Sequence, residues 1–506
     1  MHSYLRIITI IVLIITLFAG CSRIDEDEAR DRAEESAIDE EPAPLEFDDH
    51  QSLFFPVTRR LFSATVPLDE TERLREDGEH DLPSSIPVEF SVPTAQHYTF
   101  TLRASGDAVV VLRSGGEGQG AFRFTGDETM DSVLHGIYLP AGDNVINLAV
   151  LRGSVQLEQL GIVNYEPDLS RFEVTRTPVN PDASAAVRLM LDFFADNYGQ
   201  QILLAQHVTP GTNSEIGAIF DAAGRFPAIR FSDLMRYSRS FTGDKPANDD
   251  IELAVEWAKT GGIVGYDWTW YSPVIDGGRS HYYAGNSDFS LDEAVTSANI
   301  ATYDTRRLDE LYAAGTISHS TLELIRELDH IAAELKRLQA ENVAVLWRPL
   351  HQAGTGWFWW GNCQPESYIW LWRLMFERFT TLHGLDNLIW VWSGQHFAYY
   401  PGDNYVDIIG EDIYNMDDAS NIPVFVQAGQ YPGRHKLTAM TECGLLPMPD
   451  LLGRDGAFWL WTALYRGDFL VDHRGRHSSF FNTRERLERI YNHELTITLD
   501  KLPERF

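Results

Sequence analysis

Val343-Ala344-Val345-Leu346-Trp347-Arg348-Pro349-Leu350-His351-Gln352-Ala353-Gly354-Thr355-Gly356-Trp357-Phe358-Trp359-Trp360-Gly361 is the stretch on which the fold turns. It opens as a short apolar, β-branched run, the pattern of a strand buried on both faces of a parallel sheet. Pro349 has no amide hydrogen for a ladder, so the strand should end near Arg348 and release Leu350, His351 and Gln352 from the sheet. A Gly-rich turn follows, then four aromatic residues in succession, Trp357 to Trp360. Some of these rings belong in a core. Four in a row cannot all point one way, so at least one should face a cleft. With Arg348, His351 and Gln352 as polar neighbours, such rings suit the flat apolar faces of sugars.

Outward from this strand, similar runs alternate with helical stretches. They cover 201–206, 226–231, 262–266, 343–347, 388–392, 406–410, 437–440 and 458–461, which makes eight β units. The clearest helix lies within 321–339, where Leu322, Ile325, Leu328, Ile331 and Leu335 share one face. Eight alternating units predict an α/β fold, a (β/α)8 TIM barrel over 183–506. A long insert at 271–320 should help wall the cleft. Catalytic groups of such barrels sit at the carboxyl ends of the strands. Those ends supply His207, Asp233, Asp267, Arg348, Gln352, Glu411, Asp412 and Glu442. Glu442 stands out among them, because a carboxylate closing the apolar run Leu437-Thr438-Ala439-Met440 has no packing use.

The run from Arg348 to Gly361 resembles glycoside hydrolase family 26, mainly endo-β-1,4-mannanases on a TIM barrel. The resemblance implies retaining hydrolysis of a β-mannan or related β-1,4-glycan. It assigns Glu442, in Met440-Thr441-Glu442-Cys443-Gly444, as nucleophile, and Tyr414 as the tyrosine that orients it. It also implies sugar contacts from Arg348, His351, Trp357, Trp270, Asp412 and Trp461, the last as floor of the central subsite. Two positions depart from the family pattern. The family follows its histidine with the general acid/base glutamate, where this chain has Gln352; and it has Trp-His-Trp after the third strand, where this chain has Trp268-Thr269-Trp270. An amide has no transferable proton, and general acid catalysis typically contributes ~10²–10⁴-fold. The expectation is therefore a glycan-binding protein whose hydrolysis is weak or lost. A binding-only pseudoenzyme, or a surface adhesion or scaffold protein, is the alternative. Glu411, Glu366 or Asp267 would be the substitute acid if one exists. No cluster at metal-ligand spacing is apparent, and hydrolysis of this type needs no cofactor.

The rest of the chain concerns address and attachment. Arg6 precedes an apolar run at 7–18 and the small residues Ala19-Gly20 before Cys21, which looks like a lipoprotein-type signal peptide over 1–21 with a lipidated Cys21. Residues 22–50 are acidic and poor in large apolar side chains, as in a disordered tether. Export and anchoring to a bacterial membrane are expected, with the protein facing the periplasm or exterior. Alternating runs between turn signals over 51–165 predict an all-β jelly-roll or β-sandwich, loosely resembling carbohydrate-binding modules of families 6 and 35, with a linker over 166–182. A net charge of −33 excludes nucleic acid as a partner, and a monomer is expected. Cys363 and Cys443 are open to either a disulfide or two thiols.

Overall fold

The structure, a computed structural model, describes residues 63–68, 73–75, 85–115, 117–241, 250–414 and 420–504. The targeting run, Cys21 and the acidic stretch to residue 50 lie outside the described residues. The chain divides into two compact units, the first ending at Glu166 and the second beginning at Pro167.

The first unit is an antiparallel β structure of β1 (Ser63–Pro67), β2 (Arg73–Arg75), β3 (Ser85–Val92), β4 (Gln96–Ser114), β5 (Glu117–Phe124), β6 (Met130–Leu139) and β7 (Gly142–Asn164). Two of these strands are long, β4 with 19 residues and β7 with 23. Alternation continues along β4, with Tyr98, Phe100, Leu102, Val110 and Leu112 all facing the core. Where β4 and β7 approach most closely, glycine is required. A Cβ on Gly106 would lie 2.4 Å from the Ser154 carbonyl oxygen, and one on Gly153 only 2.0 Å from that of Asp107. Both have positive φ, so the strands continue through a point where other residues would break them.

The second unit is a closed parallel barrel. Its strands are β8 (Ile202–His207), β9 (Ile229–Asp233), β10 (Ile263–Trp268), β11 (Val345–Pro349), β12 (Leu388–Trp392), β13 (Ile408–Ile413), β14 (Leu437–Cys443) and β15 (Trp461–Leu464). They neighbour one another in sequence order, and β15 closes on β8 through Trp461 opposite Leu203 and Leu464 opposite Gln206. Nearly every strand residue is buried, as expected of strands covered by side chains within and helices without. The predicted helix runs from His319 to Ala340, and its five named apolar residues are all buried. The segment expected to be a linker belongs to the barrel unit. Arg171 donates to the Phe425 carbonyl at 2.7 Å, and the Val179 amide to Asp407 at 2.8 Å.

One strand differs from expectation in a way that matters below. Residues 457–464 are apolar except for Thr462, a pattern that marks no strand end. The eighth strand starts at Trp461 instead of ending there. Trp461 is therefore fully buried at the amino-terminal end of the barrel, with its ring 6.2 Å from Phe194 and 5.8 Å from Phe231. It does not floor a cleft.

Candidate active site

Buried Arg348 is the hub at the carboxyl ends of the strands. Its Nη1 donates to Asp267 at 2.9 Å and to Glu442 at 2.8 Å; Nη2 donates to Asp412 at 2.5 Å, and Nε to the Ser393 hydroxyl at 2.7 Å. A guanidinium buried in this way is tolerable only because its planar fork finds a carboxylate on each side. His207 completes the set, 3.2 Å from Asp267 through Nδ1 and 2.9 Å from the Thr441 carbonyl through Nε2.

The backbone aims Glu442 into this cluster. Glu411 pairs with Met440 but Asp412 with Glu442, so β14 carries an extra residue at Thr441. The Thr441 hydroxyl then reaches Asp412 at 2.6 Å, while the Glu442 carboxylate reaches Arg348. Tyr414, just beyond β13, donates its hydroxyl to Glu442 Oε2 at 2.5 Å. Burial pushes Glu442 up, but Arg348, His207 and His351 outweigh it and hold the carboxyl below its ordinary value. The site thus keeps this carboxylate ionised and fixed in orientation.

Gln352 lies directly across from it. Its Nε2 donates to Glu442 Oε2 at 3.3 Å and to Asp412 Oδ2 at 2.6 Å. Leu350 and Gln352 both take left-handed backbone angles, φ 53 and 55, which non-glycine residues adopt at a cost. The Gln352 amide bonded to the Ser393 carbonyl at 2.8 Å and the Thr355 hydroxyl bonded to the Gln352 carbonyl hold the loop in that shape. Burial pushes Asp412 up to about 7, with Arg348 opposing and Glu442 adding. Its side chain is 2% exposed and tied to Arg348, Gln352 and Thr441, so it braces the site and does not present itself to a ligand.

The aromatic loop separates cleanly into core and cleft. Phe358, Trp359 and Trp360 are buried, with the indoles of Trp359 and Trp360 bonded to the carbonyls of Trp270 and His351. Trp357 is half-buried, edge-on to Phe358. His351 is wedged edge-on against Phe358 and Trp360, and burial followed by Arg348 lowers its pKa. The insert after β10 does line this loop: Tyr283 pairs with Phe358, and the Trp359 amide bonds to the Tyr282 carbonyl.

Several expected site residues lie elsewhere. Trp270 is fully buried, stacked on Trp268 at 4.0 Å, and does not face the cleft. Glu411 precedes Asp412 on the strand and so points to the opposite face, beside Tyr431, where burial pushes it up to about 8. It cannot deliver a proton into the barrel mouth. Glu366 sits on the outer helix Pro365–Glu377, in a groove with Trp370 and Glu377. Burial pushes Asp267 up, but Arg348 and His207 prevail and hold it far below the carboxylate range, so it is no acid either. Thr269 is engaged with Asp233 at 2.5 Å. The ring that does stand at the end of the eighth strand is Tyr465, half-buried, 5.4 Å from His207 and 6.0 Å from Tyr414. His207, Asp267 and Glu442 offer ligand atoms within 4.8 Å of one another, but Arg348 already bridges the two carboxylates and fills the cation's role. Cys363 and Cys443 are free thiols.

Residues 179–501, most of the barrel unit, match the family model for glycosyl hydrolase family 26. The chain belongs to that family. A mannan endo-1,4-β-mannosidase of Thermothelomyces thermophilus is 31% identical over 399 residues, 78% of this chain and 77% of that protein. The Podospora anserina GH26-CBM35 β-(1,4)-mannanase structure is 28% identical with a TM-score of 0.58, covering 87% of this chain and 98% of its own. A β-mannanase from a symbiotic protist of the termite Reticulitermes speratus, solved with a gluco-manno-oligosaccharide, is 28% identical at a TM-score of 0.56 and covers 65% of this chain and 98% of its own. In family 26 terms, the chain is mannan endo-1,4-β-mannosidase-like, with a (β/α)8 barrel behind a β-rich unit. The bulge at Thr441 and the Arg348 hub are how this member positions its carboxylates.

Proposed function

We propose that the barrel holds a β-mannan or a related β-1,4-linked glycan against Glu442, and that it hydrolyses this chain weakly or not at all. Glu442 is the nucleophile, Tyr414 its positioning residue, and Gln352 stands where the acid/base belongs. Arg348 and Asp412 hold these groups in register, while Trp357, His351 and Tyr465 line the sugar path. The observation that carries this reading is the Gln352 amide, bonded at once to Glu442 and Asp412. Retaining hydrolysis sets its two carboxyl groups ~5–5.5 Å apart with the sugar between them. Here the 3.3 Å amide–carboxylate bond must open before a sugar can enter, and the amide then has no proton for the leaving oxygen.

An activated aryl β-mannoside tests this directly, because its leaving group needs no acid. Glu442 should attack it, and the glycosyl-enzyme should then accumulate, since Gln352 cannot activate water as a base. Mass spectrometry should find one added mannosyl group on Glu442, absent in Glu442→Ala. An unmodified wild-type protein would favour the second reading, a binding-only pseudoenzyme or scaffold, to which the Gln352 bonds also lend weight as a lock on the nucleophile.

Export and lipid attachment through Cys21 form part of the proposal, motivated by the apolar run at 7–18 and the small residues before that cysteine. Cys21→Ser should shift the protein from the membrane to the soluble fraction. Anchored protein in that variant would refute the assignment. We read the β-rich unit as a carbohydrate-binding module and the protein as a monomer. Removal of residues 51–166 should weaken retention in mannan gels, and light scattering should return the mass of one chain.

A further inference from the structure

The segment after β15 carries a line of aromatic rings that the proposed chemistry does not use. It begins beside the nucleophile. Tyr414, whose hydroxyl holds Glu442, lies 5.6 Å from Phe469, and Tyr465 lies 6.3 Å from the same ring. Phe469 is 5.0 Å from Phe481, and Phe481 is 4.6 Å from Phe480, edge-on at 85°. Exposure is greatest at the far end of the line. Phe469 and Phe481 are half-buried, and Phe480 is 81% exposed, the most exposed large apolar side chain among the described residues.

An exposed phenylalanine on a slack loop would mean little, but this loop is pinned. Buried Asn482 donates to the carbonyls of Gly444 and Phe469 at 3.0 and 3.1 Å and accepts the Leu446 amide at 3.1 Å. The Val471–His477 bridge, the Ser478 amide bonded to the Leu470 carbonyl at 2.8 Å and His477 bonded to the Asn482 carbonyl at 2.9 Å close the loop behind it. Asn482 also ties the segment to Gly444, two residues past Glu442, so the rings and the nucleophile share one rigid mount. A ring held out into water on such a mount keeps its face available for stacking.

We propose that Phe480, backed by Phe481 and Phe469, is the outermost platform of the glycan cleft and lets the protein favour long β-1,4-linked chains over short ones. The inference rests on the mannan reading above and extends it from the central subsite to the rim. A flat aromatic face such as that of Phe480 stacks on the apolar face of a pyranose. The centroid steps of 5.0 and 4.6 Å from Phe469 through Phe481 to Phe480 are comparable with one β-1,4-linked hexose, so the line reaches from the central subsite to Phe480, whose exposed face is the one free to stack.

The test is calorimetric binding of mannotriose and mannohexaose to the full-length protein and to Phe480→Ala and Phe480→Trp. Phe480→Ala should weaken mannohexaose roughly three- to tenfold and leave mannotriose unchanged, while Phe480→Trp should match or exceed wild type. Because Phe480 packs little, the variants should melt with wild type. Equal affinity of Phe480→Ala and wild type for mannohexaose would overturn the inference while leaving the mannan reading standing, as would an equal loss for both ligands. A wild-type protein that binds neither oligosaccharide would overturn both.

Discussion

At the scale of single residues, the site is organised by a guanidinium and an amide. Arg348 spends its donors on Asp267, Glu442, Asp412 and Ser393, so it sets charge and geometry without touching solvent. Tyr414 adds one hydrogen bond to the charged Glu442 carboxylate, and such bonds contribute about 1.5–3 kcal/mol. Tyr414→Phe should therefore slow glycosylation of Glu442 by an aryl mannoside roughly ten- to a hundredfold. It should also raise the pH at which Glu442 becomes reactive, a shift that lost packing alone would not cause. The measurement is the pH profile of adduct formation. The residues Arg348, Gln352, Tyr414 and Glu442 were legible in the sequence because each lies at or just past the carboxyl end of a strand-like run and in a motif that resembles the family 26 pattern. The brace made by Asp412, Thr441 and His207 was not, because it depends on a one-residue bulge and on three strands meeting, neither of which leaves a local pattern.

At the scale of elements, the eighth strand shows where periodicity stops informing. Ala457-Phe458-Trp459-Leu460-Trp461-Thr462-Ala463-Leu464 is apolar almost throughout, so sequence alone marks the strand but not its ends. A slip of a few residues moved the expected platform from Tyr465 to Trp461. The two positions should separate in experiment. Trp461→Ala empties a fully buried site and should cost about 3–5 kcal/mol in denaturant unfolding of the barrel. Tyr465→Ala removes a half-buried ring and should weaken mannan retention in affinity gels with a smaller stability cost. The reverse pattern would return Trp461 to the cleft. The same difficulty hid the continuity of β4 and β7, where Gly106 and Gly153 serve as close-approach points within strands.

At the scale of the whole molecule, the barrel was predictable from its eight units, while its ionisation behaviour was not. Burial pushes Asp407 up to about 6 and Glu411 up to about 8. A carboxyl raised above its unfolded value favours the folded state while it holds its proton, and that advantage disappears as pH rises through the folded pKa. Stability should therefore fall from about pH 5 to pH 8, and the chain's own net charge of −33 adds self-repulsion in the same direction. Calorimetric melting temperatures should decline across that window, and Glu411→Gln should flatten the decline. A melting temperature that rises with pH would contradict the burial of these groups as protonated acids.

The central claim is that Glu442 is a competent nucleophile whose missing partner is a proton donor at position 352, and Gln352→Glu tests it most directly. A glutamate there would stand beside Asp412 and Glu442, like charges that raise its pKa toward that of an acid working near neutrality. Release of reducing ends from β-mannan should rise ~10²–10⁴-fold over wild type and vanish again in Gln352→Glu/Glu442→Ala. A Gln352→Glu protein that binds mannan normally yet hydrolyses it no faster than wild type would contradict the account.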